Sequence, residues 1–170
     1  MPKTLYLDID TQLDFVFPSG ALYVPGAEKI LPQVAEFNRE AIAGSHTLVA
    51  TMDAHSEDDP EFQSWPHHCV VDSLGQRKAE ITLVPGLQVL KKQSVDCFTN
   101  PQMDEILRER GIEKAVVYGV VTEICVLYAV RGLLGRGIKV EVRRGAVKEL
   151  DAQSASLFFE ELRSRGGNVV

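Results

Sequence analysis

The chain has 170 residues, 45% hydrophobic and 25% charged, with a formal net charge of -6 and a pI of about 5.2. That length and balance fit one globular domain with a sizeable core, spanning 1–170. No Lys/Arg-rich run occurs and no apolar run reaches the roughly 20 residues that cross a bilayer, so neither nucleic acid nor a membrane is an expected partner.

Met-Pro-Lys leads directly into Thr4 to Ile9, which reads as a first strand rather than a signal peptide. Asp10-Thr11-Gln12-Leu13-Asp14-Phe15 follows at its carboxyl end, and Pro18-Ser19-Gly20 and Pro25-Gly26 mark turns. From Ala27, apolar residues at Ile30, Val34, Phe37 and Ala41 predict a helix that Gly44 ends. His46 to Met52 is nearly all apolar, as a strand buried on both faces requires. Asp53 to Gln76 is long, irregular and rich in Asp, Pro and His, a length that marks a functional loop.

A short strand is expected within Ala79 to Val84 and another over Gln88 to Lys92. Pro101 opens a helix carrying Met103, Ile106 and Leu107, which Gly111 stops. A strand over Ala115 to Tyr118, a helix over Glu123 to Leu134, a strand over Lys139 to Arg143, a helix capped by Asp151 and an end strand at Asn168 to Val170 complete the pattern. The alternation predicts an α/β fold: a three-layer, doubly wound, mainly parallel sheet of about six strands in the order 3-2-1-4-5-6, with helices on both faces. In such sheets ligands bind beyond the carboxyl ends of the strands. Asp10, Asp53, Lys92 and Cys125 all fall at or near such ends.

Three cysteines, Cys69, Cys97 and Cys125, make an odd number without a C-x-x-C pair, so a reducing cytoplasm is the expected compartment. Cys125 lies three residues past Thr122, a residue suited to cap a helix. A thiol in a first helical turn meets the positive end of the macrodipole, which favours the nucleophilic thiolate. The backbone N–H groups of that turn are also positioned to receive an oxyanion. Asp10, ending a central strand, could take the thiol's proton; Asp8 competes, but lies deeper in the strand. Lys91 and Lys92 point opposite ways on a strand, so one of them could reach the same place. Asp53 and His55 are an i, i+2 pair at a strand end. With His68 from the loop beyond, or His67 in its stead, they make a mixed O/N ligand set that suits zinc, and also iron or manganese.

Five motifs in order carry a resemblance: Asp10 to Phe15, Gly20 to Gly26, Asp53-Ala54-His55, Trp65 to Cys69, and Gly119 to Cys125. Together they resemble the isochorismatase-like cysteine hydrolases, and among these the nicotinamidases, from Leu5 to about Val147. The resemblance implies Cys125 as nucleophile, Asp10 as its base and Lys92 as the charge supporting both, Lys92 being chosen because Phe98 stands where the family often has an aromatic. It implies a cis bond between Val120 and Val121 that aims the Val121 N–H, with that of Cys125, at the oxyanion. It implies Asp53, His55 and His68 as ligands of one divalent metal, and Phe15 and Trp65 as walls of an aromatic pocket. The implied activity is hydrolysis of nicotinamide to nicotinate and ammonia through a thioester, within pyridine nucleotide salvage. Family members often form homo-oligomers, and nothing in this sequence decides that state. Ala54, where nicotinamidases commonly have tryptophan, and the short Gln93 to Cys97 segment keep another small amide or ureido substrate as the alternative. A non-catalytic scaffold of the same fold is a reading of a different class. Its mark would be loss of Cys125, Asp10 or Lys92, and none is lost.

Overall fold

A computed structural model describes residues 2–170. The elements run β1 (Thr4–Ile9), a short α1 (Leu13–Val16), α2 (Leu31–Ala43), β2 (Thr47–Asp53), β3 (Gln88–Lys92), α3 (Gln102–Arg110), β4 (Lys114–Val120), α4 (Leu127–Gly135), β5 (Lys139–Lys148), α5 (Ala152–Ser164) and β6 (Asn168–Val169). The strands form one sheet in the order β3-β2-β1-β4-β5-β6, and every pairing is parallel. This is the doubly wound order expected from the alternation of strands and helices.

Period-two alternation divides the core between the two faces of the sheet. Leu5, Leu7, Ile9, Val49 and Leu90 pack with Met103 of α3, Val130 and Leu133 of α4, and Phe158 and Leu162 of α5. Tyr6, Leu48, Val116 and Tyr118 pack on the other face with Leu31, Val34 and Ala41 of α2. Burying both faces explains why β1 and β4 read as nearly continuous apolar runs.

The end signals operate as their chemistry demands. Asn100 Oδ1 accepts the Gln102 N–H at 3.0 Å as α3 begins, and Gly111 leaves that helix at φ 60°. Asp151 accepts the Ser154 N–H at 2.6 Å and caps α5.

Three expectations are corrected. Ala79 to Val84 holds no strand; Glu80–Thr82 is a 3-10 turn, closed by the Thr82 hydroxyl donating to the Ala79 carbonyl at 2.8 Å. The strand expected to stop at Arg143 runs to Lys148, because a register shift between Val117 and Gly119 lets Val147 and Lys148 pair with Gly119 and Val120. The helix after β4 begins as a wide turn, Thr122–Val126, with Val121 at its N-cap. Thr122 therefore lies inside the turn and caps nothing; its buried hydroxyl has no hydrogen-bond partner among the described residues.

Candidate active site

The chemistry-bearing side chains gather beyond the carboxyl ends of four adjacent strands, β3, β2, β1 and β4. On β3 the buried face carries Leu90 and Lys92 while Lys91 is exposed, so the alternation selects Lys92 as the inward lysine. On β2 the matching face carries Val49, Thr51 and Asp53. Lys92 and Asp53 are register partners, and the Lys92 ammonium lies 2.5 Å from Asp53 Oδ1 and 2.8 Å from Asp10 Oδ2. It stands 3.9 Å from Cys125 Sγ.

Asp8 and Asp10 would share a face if β1 ran straight on. Asp10 instead takes φ 50°, in the left-handed region, and the chain turns there. Asp8 stays on the α2 side, accepting from Lys78 at 2.9 Å, Thr11 at 2.8 Å and Asn38 at 3.0 Å. Asp10 turns to the opposite side, where Thr51 donates to its Oδ1 at 2.6 Å. The choice between Asp8 and Asp10 as neighbour of the thiol is thus geometric: Asp8 is fully engaged elsewhere. Gly119 allows the crossing, since a Cβ there would stand 2.1 Å from the Ile9 carbonyl oxygen. The Val120–Val121 peptide bond is cis, and the Val121 carbonyl accepts the Ile124 and Val126 N–H groups, both at 3.1 Å.

The electrostatics follow from burial and from this one cation. Lys92 is held as ammonium well above its ordinary range; burial opposes its charge, but the two carboxylates Asp10 and Asp53 outweigh burial. Asp53 is held below the ordinary carboxylate range because Lys92 and His55 overcome its burial. Asp10 goes the other way: burial raises it, and the pull of Lys92 does not offset burial and the repulsion of Asp53. Cys125 is raised well above a free thiol by burial, with Lys92 opposing and Asp10 and Asp53 adding to the rise. The resting group is therefore a thiol, and the thiolate expected from the helix dipole is overruled by desolvation. A raised carboxylate beside a neutral thiol is a proton acceptor and donor pair.

Asp53, His55 and His68 converge, their ligand atoms all within 4.8 Å of one another. Nε2 of His55 lies 3.6 Å, and Nε2 of His68 3.8 Å, from Asp53 Oδ2. Each far nitrogen is fixed from behind: Nδ1 of His55 by Asp59 at 2.9 Å, Nδ1 of His68 by the Pro66 carbonyl at 2.7 Å. Such outer partners orient ligating imidazoles. His55 Nε2 is buried with no hydrogen-bond partner among the described residues. An orphaned nitrogen aimed at a carboxylate and a second imidazole fits a divalent metal. His67 is excluded from the set, being exposed and stacked on Phe62 at 4.2 Å between ring centroids.

The cavity at this site is walled by Phe15, Trp65, Leu22, Val24, Ile124 and Leu150, with Cys125, Val121, Asp53, Glu61 and His68 reaching into it. Among its lining residues there is no lysine or arginine. Phe15 also stands 5.5 Å from the His68 ring.

Sequence reasoning missed several participants. Gln12 straps the site together, its amide donating to the Asp53 carbonyl at 2.9 Å and the Gln76 carbonyl at 2.8 Å and its oxygen accepting the Asp53 N–H at 2.8 Å. Asp14 accepts the Cys69 N–H at 2.7 Å and so anchors the His68 loop. Both lie in the motif after β1, but their partners are distant in sequence. Asp59 and Glu61, which form a second group with His55, were lost among the loop's other acids.

A family model for the isochorismatase domain matches residues 4–170. The nicotinamidase/pyrazinamidase of Mycobacterium tuberculosis is 26% identical over 180 residues, covering 95% of each chain. The crystal structure of a pyrazinamidase of Pyrococcus horikoshii in complex with zinc superposes with a TM-score of 0.93 at 31% identity, covering 99% of each chain. That of an N-carbamoylsarcosine amidase from Thermoplasma acidophilum has a TM-score of 0.87 at 26% identity, covering 98% of this chain and 95% of its own.

Proposed function

Since the chain belongs to the isochorismatase family, we propose that it is a metal-dependent cysteine amidohydrolase that converts nicotinamide and water to nicotinate and ammonia. The observation that carries this reading is the ammonium of Lys92 beside Asp10 and beside the Sγ of Cys125, a sulfur that reaches into a cavity walled largely by aromatic and aliphatic side chains. Lining of that kind suits a flat neutral ring carrying a carboxamide. A substrate bearing a carboxylate would meet Asp53 and Glu61 with no lysine or arginine in the lining to pair with. This favours a neutral amide over a ureido acid of the kind named for the Thermoplasma neighbour.

In the proposed mechanism Asp10 takes the Cys125 proton as the sulfur attacks the carboxamide carbon. Its raised carboxyl is suited to accept that proton, and Lys92 stabilises the charge left on sulfur. The N–H groups of Val121 and Cys125 receive the oxyanion. Asp10 then passes its proton to the departing ammonia. Water, deprotonated by the same carboxylate, cleaves the thioester, releasing the acid and restoring the thiol. Asp53, His55 and His68 would hold the divalent ion, zinc by their donor chemistry, which would supply a Lewis-acid anchor for a ring nitrogen. Phe15 and Trp65 would clamp the ring. Among the described residues no helix is long and apolar enough to cross a membrane. The three cysteines are free, which suits a reducing compartment.

Ammonia release from a panel of nicotinamide, pyrazinamide and an N-carbamoyl amino acid tests the reading. Turnover of the two ring amides that Cys125→Ala abolishes supports it. Turnover of the N-carbamoyl amino acid alone replaces it with the ureido reading, and ammonia release by Cys125→Ala at the wild-type rate overturns the mechanism.

A further inference from the structure

Leu150 walls the cavity beside Val121, Ile124 and Cys125, yet it stands in the loop between β5 and α5 and is 46% exposed. Packing alone holds a half-exposed side chain poorly, so its position depends on its backbone. That backbone is tied to Glu123. One carboxylate oxygen, Oε1, accepts the Leu150 N–H at 2.9 Å and the Asp151 N–H at 2.7 Å. Asp151 in turn caps α5 through Ser154. Glu123 belongs to the same turn as Cys125, two residues ahead of it. Its other oxygen, Oε2, is buried and has no hydrogen-bond partner among the described residues. The carboxylate thus lies on the amides just before the thirteen-residue α5, where a negative charge is favoured by the helix dipole.

We propose that Glu123 is a positioning residue for substrate recognition: it ties the Leu150 wall to the turn that carries Cys125, so that wall and sulfur keep one spacing. Glu123 touches neither sulfur nor ring. It acts through Leu150, and its loss is expected in binding rather than in the chemical step. The proposal rests on the amide-hydrolase reading of this pocket.

The test is a double-mutant cycle between Glu123→Ala and Leu150→Ala. Trp65 is the sole tryptophan and lines the pocket, so its fluorescence reports binding in a Cys125→Ala background. Glu123→Ala should weaken nicotinamide binding, and raise KM in the active enzyme, about 10-fold, the worth of a hydrogen bond to a charged group, while kcat stays within about twofold. Leu150→Ala should weaken binding too, and the double variant should bind no worse than the weaker single one. Glu123→Gln keeps an acceptor oxygen and should recover most of the loss. Multiplying effects in the double variant, unchanged binding in Glu123→Ala, or equal falls in kcat for both variants would overturn the proposal. If Glu123→Ala does not fold, Glu123→Met, which keeps the length of the side chain but offers no acceptor, paired with Leu150→Ala decides by the same criterion. If nicotinamide is not bound but another amide of the panel is, the substrate assignment fails and the cycle is judged on that amide. If no amide is bound, the proposal fails with the pocket.

Discussion

Replacing Lys92 with methionine keeps the length of the side chain and removes its charge. The wild-type site holds three buried charges, Asp10 and Asp53 against Lys92, each of the three at most 4% exposed. Without the ammonium Asp10 loses its only cation and Asp53 keeps only the His55 imidazolium, and breaking a buried pair by removing one partner costs about 3–5 kcal/mol. The sign with pH follows from the groups left behind. Asp53 is held low in the folded protein, so its contribution is present above the unfolded carboxylate range and is lost as pH falls through its folded value. In Lys92→Met that contribution is gone and both carboxyls are pushed up. The deficit should be largest near neutral pH and shrink on acidification, as the carboxyls become neutral. Urea unfolding of metal-free wild type and variant from neutral pH down to the carboxylate range measures this. A divalent ion at Asp53 would supply part of the missing charge, so added zinc should narrow the gap. A deficit below about 1 kcal/mol at neutral pH, or one that grows on acidification, would refute the account of Lys92 as the counter-charge that Asp10 and Asp53 share.

Asp10→Asn removes a carboxylate that raises the Cys125 thiol and leaves Lys92 in place, so the thiol should ionise at lower pH while amidase activity is lost; ultraviolet thiolate absorbance and ammonia release read the two effects separately. Resting wild-type Cys125, 7% exposed and held as thiol, should alkylate with iodoacetamide more slowly at neutral pH than a free model thiol. Without metal His55 is carried up to about 9, because the carboxylates of Asp53, 3.6 Å from Nε2, and Asp59, bonded to Nδ1, outweigh the effect of burial, so zinc must displace a proton below that pH. Zinc affinity should therefore rise with pH up to about 9, with proton release visible in weakly buffered calorimetry. Asp59→Asn, which leaves all three ligands intact but loosens His55, should cost about 10–100-fold in zinc affinity, read by competition with a chelating dye.

The elements of the sheet were legible because their signal is local, apolar runs bounded by glycine and by helical periodicity; the strand order came with the doubly wound class that their alternation implies. The residues alone left Lys91 and Lys92 as a pair with opposite faces, and the choice of Lys92 came from the resemblance. The fold adds that Leu90, two residues back, sits in the core, which fixes the face for Lys92. The run from Ala79 to Val84 misled because its apolar residues look like a strand, whereas the Thr82 hydroxyl closes a turn there and Ile81 and Leu83 stay exposed. The thiolate expectation failed for a different reason: a helix terminus is visible in sequence, while the desolvation that opposes it depends on everything packed around residue 125. Gln12 was hidden because only the fold brings its partners at 53 and 76 near, and Asp59 and Glu61 because nothing local sets them apart from the other acids of their loop.

The bend at residue 10 has one more consequence. A single strand delivers two acids to two separate charge systems on opposite sides of the sheet: one that Lys78 and Asn38 keep permanently engaged, and one left free to exchange protons. Paired substitution by hydrocarbon at 8 and 78 would cost stability, because the Thr11 hydroxyl and Asn38 amide lose an acceptor, but would leave the proton chemistry in place. At 10 and 92 the same exchange would leave a folded protein with nothing to carry the proton.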